Sequence, residues 1–240
     1  MSATDEFYVG YLPAGVKQKL VLRFLVPAIA FALLAVASLL AMGTPPAGTG
    51  LWFTLYTNEY EGTFFASPYA HILADDGSAM IVVDAGKGGI RDGIGELDGD
   101  RVRAEGFPIS RDGMTILELL PGVDGLAGIE GVTTRPAVPD IGLSVELIGE
   151  VLDLKCFLGA MKPGSGVTHR GCAVLCVRGG IPPAVQGEDG VVRLLVNEDF
   201  GAMNDGVLEY VGVEATITGD EVEFGGIRYL RVRSISRVEH

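Results

Sequence analysis

The sequence predicts a mostly β chain, with two small β-barrels behind one N-terminal membrane helix. Three observations carry that prediction. Residues Phe24 to Met42 are 19 positions without a charge. The chain is rich in turn formers, with 35 Gly and 12 Pro, which favours many short strands over long helices. It also repeats itself at a spacing of 113 residues.

The apolar run comes first. As a helix, 24–42 spans roughly 28 Å at about 1.5 Å per residue, close to the hydrocarbon thickness of a bilayer. Pro27 falls in its first turn, and Gly43, Pro45 and Pro46 stop it. The run exceeds the usual ~7–15 apolar residues of a signal peptide, so it reads as an uncleaved anchor. Lys17, Lys19 and Arg23 precede it, and no basic residue follows until Lys87. That asymmetry puts a leader, 1–23, in the cytoplasm. The expected location is the inner membrane, single-pass, with the bulk of the chain periplasmic. Phe7, Tyr8 and Tyr11 on one flank and Trp52 and Phe53 on the other, with Tyr56 nearby, suit the two membrane interfaces.

After a linker, 43–50, the exported part carries the acid. Residues 51–240 hold 15 Lys+Arg against 29 Asp+Glu, a net −14, while 1–50 hold +1. Such a surface lacks the Lys/Arg footprint of a nucleic-acid binder. Gly99, Gly106 and Gly113 recur as Gly212, Gly219 and Gly226, and Leu117 as Leu230. Asp76-Gly77 before AMIVV recurs as Asp189-Gly190 before VVRLLV. VRLLVN, VEATIT and IRYLRVRSI are short β-branched or aromatic runs bounded by Gly and Asp. ELIGEVLDL is a further strand, with Gly149 expected at a bulge or bend, and 200–210 has room for a short helix. Three strands, a short helix and two strands is the order of an OB-type barrel. The expected domains are 51–131 and 141–240, joined by a Pro-containing linker at 132–140. A twisted Greek-key sandwich is the alternative.

The second repeat carries extra sequence. Gly62 of YEGTFF matches Gly149 of LIGEVL at an offset of 87, so 26 residues are present only in the second copy. All three cysteines, Cys156, Cys172 and Cys176, lie in or beside that insert, 156–183, together with His169. A barrel that closes without the segment in the first repeat is not expected to need it for folding. THRGCAVLCVRGG can form about three helical turns ended by Gly179-Gly180. His169, Cys172 and Cys176 then share one face, and Cys156, expected at the end of EVLDLKC, would reach it. Three chemistries follow. A Cys₃His set suits zinc. With Met161 added, the set is soft enough for copper. In an oxidising compartment Cys156 could instead bridge to Cys172 or Cys176, leaving one thiol over, and a reactive thiol is the third reading.

Other motifs carry less. Cys-x-x-Cys-His, a Walker loop and a G-x-S-x-G elbow are all missing. AGKGG at 85–89 reads as a tight turn, His71 and His240 have no sequence neighbours that make a site, and the paired acids sit in turns. No acid–base pair emerges, so a non-catalytic role is expected.

From Asp153 to Pro183 the chain reads D-x-K-C-x-x-G-x-M-x-P-G and then H-R-x-C-A-x-x-C-x-x-G-G-I-P-P. This resembles a signature of membrane-anchored exported bacterial proteins, with the leader FYVGYLP as part of the pattern. The architecture, one anchor and then an exported OB barrel, is similar to the haem chaperone of cytochrome c maturation. The C-terminal His/Tyr haem motif of that family is not found here. Cys-x₃-Cys with His and Met nearby is loosely similar to the dinuclear copper motif of oxidase subunits, but here the His precedes the cysteines. The expectation is a membrane-anchored periplasmic accessory subunit of a membrane-bound redox complex, whose acidic surface would attract a basic cytochrome. The alternative is a periplasmic metallochaperone or cofactor-assembly factor. Thiol redox enzymology is disfavoured by the missing Cys-x-x-Cys.

Overall fold

The computed structural model describes residues 8–9, 12–43, 49–91, 93–122, 125–131, 133, 138 and 142–238. The chain forms two compact units, Met1–Pro46 and Ala47–His240.

In the first unit, a two-residue ribbon of β1 (Tyr8–Val9) and β2 (Leu12–Pro13) precedes a helical stretch. The helix begins earlier than the apolar run, with α1 at Val16–Leu20, a π-type turn at Val21–Leu25 and α2 at Val26–Gly43. Pro27 explains the interruption, since it has no N–H to donate to the preceding turn and its ring crowds that carbonyl. Val16–Met42, 27 residues that include an 18-residue stretch of mean hydropathy 2.5, is long and apolar enough to cross a membrane. Phe7 and Tyr11 lie outside the described residues, as does His240.

The second unit opens with β3 (Leu51–Trp52), a short strand on β7. The first barrel is β4 (Asn58–Phe65), β5 (His71–Ala74), β6 (Ala79–Val83), β7 (Arg101–Arg111) and β8 (Met114–Leu119). A short β9 (Leu126–Gly128) adds to β7. The second barrel is β10 (Leu143–Asp153), β11 (Pro183–Gly187), β12 (Val192–Val196), β13 (Glu214–Phe224) and β14 (Ile227–Arg237). Each barrel closes in the same order. The first strand pairs with the second and the fourth, the second with the third, the third runs parallel to the fifth, and the fifth returns to the fourth. A 3₁₀ turn sits between third and fourth strands in both copies, at Ile94–Leu97 and Asp205–Val207. This is the expected pair of OB-like barrels.

The glycine pattern has a steric cause. A Cβ on Gly106 would sit 2.2 Å from the Glu118 carbonyl oxygen, and one on its counterpart Gly219 would sit 2.3 Å from that of Arg231. At these points a long strand bends onto its neighbour to close a small barrel, and a side chain has no room. The same holds for Gly62 and Gly149, 2.2 and 2.3 Å from the carbonyls of Leu73 and Gln186. Gly149 therefore marks a bend with unbroken pairing, and the register shift falls instead at Thr218/Gly219.

Alternation along the strands gives each barrel two apolar faces. Inward, Phe64, Ile72, Val82, Val102 and Leu117 fill the first barrel, and Val151, Val185, Leu195, Ala215 and Leu230, at the matching positions, fill the second. Outward, Phe65, Ile81, Val83, Ile109 and Ile116 meet Leu152, Leu194, Val196, Val222 and Tyr229 in a third core between the barrels. These too are equivalent positions, so each barrel offers the other the same face. Burying such side chains stabilises by about 1.5–3 kcal/mol each.

Candidate metal centre

The insert begins where the two barrels stop matching. Phe65 pairs with His71 in the first barrel, and the equivalent Leu152 pairs with Ala184 in the second. Strand β10 ends at Asp153, so Cys156 does not close the strand as expected but opens a π-type turn, Cys156–Ala160. The helix of the insert, α3, spans Arg170–Arg178, with His169 at its N-cap and Gly179 at its C-cap. It is wedged between cores. Ala173 and Val177 plug the second barrel, while Cys176, with Cys156, Phe157, Leu158 and Ile181, joins the core between barrels. The insert is thus part of the folded core, contrary to its expected dispensability.

That wedge brings the three thiols together. All three are free cysteines, and their Sγ atoms lie within 4.8 Å of one another. Cys156 and Cys176 are buried and Cys172 is partly exposed. Met161 Sδ stands 3.6 Å from Cys172 Sγ, and Met161 is 46% exposed, so the cluster opens to solvent on that side.

His169 does not complete a single four-donor point. Its Nε2 donates to Asp153 Oδ2 at 2.9 Å; a carboxylate only accepts, so the proton sits on Nε2. Asp153 Oδ1 accepts the Cys156 backbone N–H at 2.8 Å. Asp153, Cys156 and His169, all buried, form a second group within 4.8 Å, sharing Cys156 with the first. Two overlapping triads therefore replace the expected Cys₃His set.

Two residues that sequence reasoning passed over complete the site. The AGKGG turn of the first barrel docks on the C-terminus of α3, where Gly89 N–H donates to the Gly179 carbonyl at 2.8 Å. A Cβ on Gly179 would sit 2.1 Å from the Lys87 carbonyl oxygen, so glycine permits the approach. From this turn Lys87 Nζ reaches Cys172 Sγ at 2.7 Å and Cys176 Sγ at 3.8 Å. Lys155 holds the turn in place. Buried, it donates to the carbonyls of Asp84 and Gly86 at 3.1 and 2.8 Å and pairs with Glu118. Asp153 and Lys155 were visible only as the D-x-K-C string; nothing in the sequence joins Lys87 to a cysteine 85 positions away.

The electrostatics follow from crowding. Cys156 donates to Cys176, which together with burial and the Asp153 carboxylate pushes the Cys156 thiol well above its usual range. The same hydrogen bond lowers Cys176 to about 7, with a smaller contribution from Lys87. The Cys172 sulfur, and then the other thiols, raise Lys87, keeping it a cation. Three sulfurs beside a buried carboxylate repel one another as thiolates, and a bound cation relieves that repulsion. The membrane-interface candidates are not part of this centre, although Trp52 and Phe53 are partly exposed. Comparison of the chain with known protein families, curated proteins and solved structures finds no match.

Proposed function

We propose that this chain is a membrane-anchored metallochaperone or cofactor-assembly factor that carries a soft ion, Cu(I) or Zn(II), on Cys156, Cys172 and Cys176, in the service of a membrane-bound redox complex. One observation carries the reading: three sulfurs share a 4.8 Å neighbourhood. A metal with bonds of about 2.3 Å holds sulfurs about 3.8 Å apart, within that neighbourhood. A disulfide would use only two of the three. The exposed Met161 thioether offers a fourth, weaker ligand, and partial exposure of Cys172 suits an ion that is handed on. Lys17, Lys19 and Arg23 on one side of the apolar helix favour an orientation with the barrels in the periplasm of an inner membrane.

The test is metal content of the full chain isolated without an affinity tag. We expect about one Cu or Zn per chain, and binding weakened at least about 100-fold by Ser at any one of the three cysteines. A metal-free protein with fewer than two free thiols would replace this reading with a disulfide staple.

A second reading, a resident accessory subunit of the redox complex, draws on Leu51, Trp52, Phe53, Leu55 and Tyr56, a run of exposed apolar side chains. Isolation in mild detergent separates the two. A stoichiometric partner supports the subunit; a chain running alone supports the carrier.

A further inference from the structure

Residues 154–187 contain Lys155, Lys162, Arg170 and Arg178 and no Asp or Glu, inside a domain where acids outnumber bases 29 to 15. Two of these cations are engaged locally. Lys155 pairs with Glu118, and Arg170 donates to the carbonyls of Val211 and Glu209. Lys162 and Arg178 are exposed and have no partner among the described residues. Lys162 follows Met161, whose Sδ touches Cys172, and Arg178 shares the exposed side of α3 with Leu175. Met161, Val167 and Leu175 are 46%, 75% and 51% exposed. Lys87 and Lys162 therefore stand on the exposed Met161 side of the thiol cluster, and Arg178 precedes the Gly179 that meets the Lys87 carbonyl, on an otherwise anionic domain; Glu150, which accepts the Gly166 N–H, is an acid that touches the insert beside Val167.

We propose that this face docks an acidic partner protein that delivers or receives the soft metal ion. The proposal rests on the metal-carrier reading above and adds the charge and place of the partner. Charges of one sign steer an oppositely charged partner and raise its encounter rate. The exposed apolar side chains give contact area, and Cys172, the most accessible thiol, makes the first new bond. As that metal–sulfur bond forms, one bond to the partner's donor breaks and the thiol proton leaves to solvent; nothing is oxidised or reduced. An anionic lipid surface is disfavoured as the occupant, since its phosphate oxygens are hard donors that neither deliver nor receive a soft ion.

The experiment uses the full chain, reduced, in phosphatidylcholine nanodiscs, and offers Cu(I) as its bicinchoninate complex, a small anionic donor. We expect loading at low salt to slow about tenfold in the Lys162→Glu/Arg178→Glu variant, and the two proteins to converge near 0.5 M salt, with equal final copper. The variant Arg103→Glu/Arg228→Glu, with the same change of charge on strands outside the insert, should slow loading less than twofold. Equal rates in wild type and the Lys162/Arg178 variant, or an equal loss in the control variant, would overturn the docking face while leaving the metal site intact. Copper retained by the chelator throughout, with zinc likewise retained by an anionic chromophoric chelator, would overturn the metal reading and this proposal with it. Protection of Val167 and Leu175 from hydroxyl-radical labelling in phosphatidylglycerol nanodiscs, absent in phosphatidylcholine, would assign the face to lipid and overturn the proposal.

Discussion

The two barrels share strand order, register and bend glycines, and they differ at one connection. Between Phe65 and His71 the first barrel uses five residues, while between Leu152 and Ala184 the second uses 31. The cores differ to match. Phe64 fills the first barrel where the smaller Val151 stands in the second, and α3 supplies Ala173 and Val177 to that second core. A duplicated scaffold has thus traded interior volume for a helix, and the helix face turned away from the barrel interior carries the thiols. The first barrel contributes the turn that brings Lys87. The thiols belong to the second barrel's insert, and the first barrel adds the Lys87 ammonium beside them.

Cutting the insert back to the five-residue connection breaks the comparison most severely. It removes Leu158, Ala173, Val177 and Ile181 from two cores, all at most 2% exposed. We expect a loss of several kcal/mol in thermal or urea unfolding, partly restored by adding Val151→Phe. A variant as stable as wild type would mean that α3 is an ornament on a self-sufficient barrel.

Next in size is the strut between barrels. Lys155→Met alone leaves Glu118 buried without its partner and should cost about 3–5 kcal/mol. Pairing it with Glu118→Leu should recover most of that loss in the same unfolding measurement. Equal losses in single and double variants would show that the carbonyl contacts of Lys155, and not the ion pair, hold the turn.

Much of this was legible in the sequence, and for definite reasons. The 113- and 87-residue offsets correspond to register, because Gly62, Gly106, Gly149 and Gly219 are fixed by steric contact with the neighbouring strand. The 26-residue excess likewise falls where the ladders diverge. The cysteines announced themselves by rarity and by helical spacing. What sequence could not give depends on contacts between repeats. Ile81 and Val83 are buried on a barrel exterior, which no pattern within one repeat distinguishes from burial inside it. His169 has the right spacing for the thiol face, yet at the N-cap it turns to Asp153, sixteen residues back.

Two smaller effects probe that outer layer. Asp153→Asn keeps the shape but removes the charge that orients His169 and receives the Cys156 N–H. We expect metal affinity to fall about tenfold with little change in fold, read by competition with a chromophoric chelator. The last effect is on protonation. In metal-free protein one thiolate, Cys176, should form at about pH 7, followed by its absorbance near 240 nm. Because the hydrogen bond from Cys156 and then Lys87 favour the thiolate, Cys156→Ala should move that titration to higher pH, and Lys87→Met should move it in the same direction by less. Below about pH 7 the site must lose a proton from Cys176 to take up metal, so affinity should fall as pH falls. A titration unmoved by Cys156→Ala would remove the thiol–thiol hydrogen bond from the account, and one unmoved by Lys87→Met would remove the electrostatic coupling between the barrels.

The central claim is that the second barrel's insert was folded around a metal-binding trio of thiols. X-ray absorption at the metal edge of the loaded full chain tests it most directly. The account predicts a first shell of three sulfurs at about 2.3 Å, falling to two in Cys172→Ser. A shell of nitrogen and oxygen only, or one unchanged by Cys172→Ser, would contradict it.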